Sequence, residues 1–143
     1  MKASLLYRIA AGILVLFFLG HTFGFRQTNP PFGVDAVVAA MQSVHFDLQG
    51  SSRTYWDLYS GLGFSSSAYL LFFAVLAWQL GSLPAATLAS MRVITWAFAV
   101  CFAAVTIVCV RYMFIIPAGF CAATTVCLAA AARRSGVPAR PET

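Results

Sequence analysis

Apolar residues along this chain gather in four long, nearly unbroken runs, over residues 5–25, 59–80, 88–110 and 114–132. Each run holds about twenty residues, and a helix rising ~1.5 Å per residue then covers ~30 Å, the thickness of a bilayer's hydrocarbon core. The runs do not alternate apolar with polar, which argues against the strands of a β-barrel. Lipid offers no partner to backbone N–H and C=O groups, so each run is predicted to be a helix that satisfies them within itself. The expected fold is an all-α membrane protein, a four-transmembrane-helix bundle forming a single integral membrane domain.

The polar interruptions predict the connections. Pro30 and Pro31 with polar neighbours end the first span in a turn. Residues 34–46 then read as a short amphipathic helix, with Val34, Val37, Val38, Met41 and Val44 on one stripe and Asp35, Gln42 and His45 among the polar positions. It is too short to span, and is expected to lie on the membrane surface or over the bundle's mouth. Gln49-Gly50-Ser51-Ser52 is a second turn. Tyr55, Trp56 and Tyr59 mark a headgroup-level interface where the second span opens. Within that span Asp57, Gly61, Ser65 and Ala68 share a small, polar face expected to meet neighbouring helices. Gly20 and Gly24 form a GxxxG spacing in the first span, a device for close helix approach. Gly81-Ser82-Leu83-Pro84 is a tight loop, and Pro117 sits in the first turns of the last span, where a missing N–H costs little. The tail, residues 133–143, is short, basic and expected to be disordered.

Composition agrees with this pattern. Of 143 residues, 61% are hydrophobic and 9% charged, against about 25% charged in soluble domains. The first span begins with basic residues as a signal peptide does, but no small-x-small cleavage site follows before Arg26, so it reads as a retained anchor. Cys101, Cys109, Cys121 and Cys127 all fall in spans and form no CxxC, as expected of thiols acting as small apolar residues.

The net charge of +5 is distributed as topology requires, not as nucleic-acid binding requires. An even number of spans puts both termini on one side. Lys2, Arg8, Arg92, Arg133, Arg134 and Arg140 fall on that side, and Arg26, Arg53 and Arg111 on the other. The bias predicts cytoplasmic termini and contact with anionic membrane lipids.

Candidate chemistry gathers at one depth, near the outer ends of the spans. His21 lies near the end of the first, Trp56, Asp57 and Tyr59 open the second, Arg111 and Tyr112 close the third, and the loop adds His45. A carboxylate beside lipid needs a partner, so Asp57 paired with His21 or Arg111 would be mutually stabilised. His21 and Asp57 are the candidate catalytic pair for acid–base work. Arg111, Tyr59, Tyr112, Trp56 and His45 are the candidate ligand-binding residues. Each also has a plainer role. His21 suits an imidazole hydrogen-bonded between helices, and Thr54-Tyr55-Trp56-Asp57 is a capping-box pattern. Arg111 suits a headgroup contact, and the aromatic residues suit interfacial anchoring. His45-Phe46-Asp47 does not make a metal site, and His21 with His45 would ligate haem only if the loop helix folded inward. No GxSxG, HExxH or Walker-type motif occurs, so no cofactor and no metal is expected.

Gly20-His21-Thr22-Phe23-Gly24, followed by Thr54-Tyr55-Trp56-Asp57-Leu58-Tyr59-Ser60-Gly61-Leu62-Gly63, resembles a group of small bacterial four-span membrane proteins. Those combine a G-H-T segment in helix one with S-Y-W-D-F-Y-x-G-F-G opening helix two. Thr54 stands here for the serine, and Leu58 and Leu62 for the phenylalanines. The resemblance covers about the first 80 residues. It implies the fold, a bacterial cytoplasmic (inner) membrane and the choice of residues, but no activity. In shape alone the architecture is similar to DoxX-like proteins and to the sterol-isomerase and sigma-2-receptor superfamily, whose members hold sterol-like ligands in an intramembrane cavity. No motif of either is matched residue by residue.

Two functions follow as expectations. One is a pocket for an apolar small molecule or lipid in the outer half of the bundle, with isomerase-like proton transfer by His21 and Asp57 if it is an enzyme. The other is a non-catalytic accessory subunit of a larger membrane complex, or a homo-oligomer, docking through its small-residue faces. Transport fits less well, because no polar stripe crosses the full membrane depth.

Overall fold

The computed structural model describes residues 2–25 and 34–135. The turn expected at Pro30 and Pro31, and the tail from residue 136 onward, lie outside the described residues. In chain order the elements are α1 (Ala3–Gly24), α2 (Val34–Ser43), β1 (His45–Leu48), β2 (Ser51–Thr54), α3 (Tyr55–Ser82), α4 (Ala85–Ser90), α5 (Arg92–Tyr112) and α6 (Ile115–Ser135). Among the described residues four helices, α1, α3, α5 and α6, are long and apolar enough to cross a membrane. The all-α class and the four spans are therefore as expected, and the architecture is that of a multi-pass membrane protein.

The edges of these elements differ from expectation, each for a local reason. The loop helix stops at Ser43, and His45–Leu48 pairs with Ser51–Thr54 as an antiparallel hairpin. Gln49 and Gly50 form its two-residue turn with φ of 53° and 82°. Positive φ at both central positions gives the strand twist that a tight hairpin needs. The Asp47 carboxylate accepts the Gly50 N–H at 3.0 Å and closes the turn. Residues 88–90, assigned from sequence to the third span, lie instead in α4, and the chain breaks at Met91 before α5 begins at Arg92. The last helix continues through Arg133 and Arg134 to Ser135, so the tail starts later than expected. Two arginines in its final turn suit the negative end of the helix dipole.

Burial is arranged for lipid. Many large apolar side chains point outward, including Ile107 at 70% exposure, Leu62 at 72% and Ile115 at 83%. The interior mixes small and hydroxyl-bearing residues, among them Ala10, Ala77, Ser67, Thr95 and Thr124, with large apolar ones such as Leu14, Phe102 and Leu128. In lipid, helices associate by packing and hydrogen bonds, and small residues let their backbones approach. In α3 the inward positions recur at alternating spacings of three and four: Ser60, Gly63, Ser67, Leu70, Ala74, Ala77 and Gly81. That is the period of a left-handed helix seam. The face named from sequence, Asp57, Gly61, Ser65 and Ala68, is the exposed one. At Gly20 and Gly24 nothing lies within 4 Å of where a Cβ would stand, so their GxxxG spacing brings no described helix close.

The described residues group into two units, one within Met1–Phe17 and Leu70–Thr143, the other within Phe18–Tyr69. In the first unit α5 and α6 form a hairpin joined by Thr106 and Thr125 hydroxyls 3.2 Å apart. Cys109 and Cys121 are buried there with Sγ atoms 3.9 Å apart and both remain thiols, as expected of small apolar fillers. Phe120 stacks on Phe17 of α1, with ring centres 5.2 Å apart. Phe73 of α3 meets Phe98 and Phe102 of α5. A Cβ at Gly81 would crowd the Ser4 carbonyl and the Tyr7 side chain, so glycine permits the close approach of α1 to α3 in this unit.

Candidate functional site

The second unit contains the end of α1, α2, the hairpin and the start of α3. Its centre is a polar cluster. His21 is half-buried, with Nδ1 3.1 Å from the Ser67 hydroxyl, and the Thr22 hydroxyl donates to the same oxygen at 2.9 Å. Ser67 itself is 4% exposed. Because Thr22 already donates to Ser67, the single Ser67 proton has a ready acceptor in Nδ1.

Aromatic rings run on from His21. Phe25 stacks on His21 with centres 5.2 Å apart, and meets Phe64 edge-on at 5.2 Å and Tyr59 at 5.9 Å. Tyr59 also donates its hydroxyl to the Phe25 carbonyl at 2.6 Å, satisfying an acceptor just past the end of α1. Trp56 lies 5.5 Å from Tyr59, ring to ring. His21, Phe25, Tyr59 and Trp56 thus form one continuous aromatic run. A Cβ at Gly63 would collide with the Phe25 ring, so glycine at that position makes the run possible.

Asp57 does not join His21. Its Oδ2 accepts the Thr54 N–H at 2.9 Å, while its own N–H donates to the Thr54 hydroxyl at 3.1 Å. This is the reciprocal capping box that the Thr54-to-Asp57 spacing allowed, and it explains why α3 begins at Tyr55. The charges that reach Asp57 are Arg53 and His45. His45 is exposed, with Nδ1 3.0 Å from the Ser43 carbonyl. Arg111 and Tyr112 belong to the first unit, where the exposed guanidinium lies over the Tyr112 ring at 5.5 Å. Of the seven residues selected from sequence, His21, Tyr59 and Trp56 are connected through Phe25, and Asp57 and His45 sit at the hairpin-to-helix junction.

Sequence reasoning did not select Thr22, Phe25, Ser60 or Ser67 as site residues. Ser60 matters most, because its hydroxyl oxygen is buried and has no hydrogen-bond partner among the described residues. It shares a face of α3 with Gly63 and Ser67. The signal was the repeat of small residues at positions 60, 63 and 67, which runs beside an equally small stripe at 57, 61, 65 and 68. No group of three or more His, Cys, Asp or Glu placed to hold a metal occurs among the described residues.

A multi-pass helical membrane protein with a hydroxyl–imidazole cluster walled by aromatic rings is the class these features define. No family model, curated protein or solved structure matches the chain.

Proposed function

We propose that this is a bacterial inner-membrane protein, both termini cytoplasmic, that binds an apolar small molecule or lipid by its polar end at the His21 cluster. The observation that carries the reading is Ser60. A buried hydroxyl without a partner is costly in a native structure, and a ligand carbonyl or hydroxyl would satisfy it. Ser67, about two turns further along the same face of α3, and His21 beside it supply further hydrogen-bonding groups, and Phe25 and Tyr59 supply flat apolar faces. The proposal is restricted to binding, because acid–base catalysis needs a second group and Asp57 is committed to the start of α3.

The test is native mass spectrometry of protein extracted in mild detergent. The wild type should carry an adduct of lipid or small-molecule mass. Ser60→Ala and His21→Ala should lose it while still accumulating in the membrane. Ser60→Ala should also raise the melting temperature of ligand-free protein, since it removes an unsatisfied polar atom, by about 1 kcal/mol of stability. The capping role of Asp57 favours one second reading, an accessory subunit in which these contacts are purely structural. Adduct-free wild type that co-purifies with another polypeptide at a fixed ratio would establish that reading and reject ours.

A further inference from the structure

Arg8 of α1 and Trp78 of α3, both in the first unit, form a pair that the proposed function does not use. The guanidinium carbon of Arg8 lies 5.4 Å from the centre of the Trp78 ring. Local packing puts it there. A Cβ at Gly81, three residues after Trp78, would stand 3.0 Å from the Ser4 carbonyl oxygen and 3.2 Å from Arg8 Cγ. Glycine therefore lets α1 come close to α3, and the Arg8 stem lies against α3 with its head on the indole.

The surroundings of this pair are unusual for a cation. At ~1.5 Å per residue, Arg8 stands about 7 Å in from the start of α1, and Trp78 about 6 Å in from the end of α3. Both side chains are exposed, Trp78 by 55%, on helices long and apolar enough to cross a membrane. Contact with a ring occupies only the face of the guanidinium, and its five N–H donors point out from the edge of the plane. Among the described residues those donors meet no acceptor, and neither does the Trp78 indole N–H. The described carboxylates, Asp35, Asp47 and Asp57, all belong to the second unit. A charge at the rim of the hydrocarbon needs a counter-charge, and here the lipid is the source at hand.

We propose that Arg8 and Trp78 hold the phosphodiester of an anionic phospholipid, in the leaflet where α1 begins. Arg8 directs two parallel N–H groups at two phosphate oxygens. The indole N–H donates to a further headgroup or ester oxygen, and the exposed ring lies along the first methylenes. A zwitterionic headgroup carries its own ammonium, which competes with Arg8 for the phosphate, so an anionic lipid is preferred.

The full chain in nanodiscs of equal phosphatidylcholine and phosphatidylglycerol tests this by the lipids retained in native mass spectrometry. Phosphatidylglycerol should be enriched among them. Arg8→Gln should cut that enrichment about fivefold. Trp78→Phe keeps a ring beneath Arg8, changes no charge and removes the indole N–H, and should cut the enrichment about twofold. Arg92→Gln removes an equal charge from an exposed position in the first turn of α5, and should leave the enrichment unchanged. Wild-type enrichment in either Arg8→Gln or Trp78→Phe overturns the proposal, so Trp78→Phe decides alone if Arg8→Gln does not accumulate. An Arg92→Gln loss as large as that of Arg8→Gln also overturns it, because diffuse charge would then suffice. The readout is a headgroup preference in the first unit, so no outcome bears on the His21 cluster.

Discussion

Gly63 is where a single atom has the largest calculable consequence. A Cβ there would overlap the Phe25 ring, and that ring is already held by His21, Tyr59 and Phe64. The ring must move, so Gly63→Ala should cost about 1–3 kcal/mol, the usual range for overpacking. Thermal unfolding in detergent measures the loss. Tyr59→Phe makes a separable prediction. It keeps the ring contacts and removes the hydrogen bond to the Phe25 carbonyl, so it should cost about 1 kcal/mol and leave the run of rings in place. A variant as damaged as Gly63→Ala would mean that the hydroxyl, and not the ring, holds the end of α1. Gly20 and Gly24 are the contrast, with open space around both, and Gly20→Ala should be close to neutral in the isolated monomer.

Between β2 and α3 the chain changes from extended to helical without a spacer. Thr54 is the last residue of the strand and the cap of the helix, and it is buried. Thr54→Ala removes the side-chain oxygen that accepts the Asp57 N–H, and should cost about 1 kcal/mol. Hydrogen exchange should show faster opening of the first turn of α3 and little change beyond it. The hairpin carries its own test. Gly50 has a φ of 82°, where an L side chain is strained. Gly50→Val should lower protection of the strand amides, whereas Gln49→Asn should raise it, because asparagine tolerates the left-handed region better than glutamine. If Gly50→Val leaves exchange unaltered, the two strands are not held by this turn.

The four membrane-length helices set the largest-scale prediction. If all four cross, both termini share a side, and our proposal puts that side in the cytoplasm on the distribution of Lys and Arg. A cytoplasm-active reporter should function when fused at either end, and an exported-side reporter at neither. Activity at one end only would mean that one helix does not cross. The outward large apolar residues carry a related expectation. Val100→Lys, near the middle of α5 and 62% exposed, should sharply reduce membrane accumulation, because a charge at mid-bilayer costs about 2.5–3.5 kcal/mol on insertion scales.

The helices were legible in the amino-acid order because lipid imposes a one-dimensional rule. Any segment that crosses must be long, apolar and internally hydrogen-bonded, and runs such as residues 5–25 and 88–110 announce that without reference to anything else. The Thr54–Asp57 cap was equally readable, since both partners lie within one turn. The turn at Gln49 and Gly50 was read, but the strands beside it were missed, because four-residue strands leave little periodicity to detect. Folding in three dimensions chose the face of α3. Both small-residue stripes, at 57, 61, 65 and 68 and at 60, 63 and 67, satisfy the same local rules, and only packing against α1 buried the second. Contacts between residues as distant as His21 and Ser67 leave no trace in local spacing, so the cluster had to be seen folded.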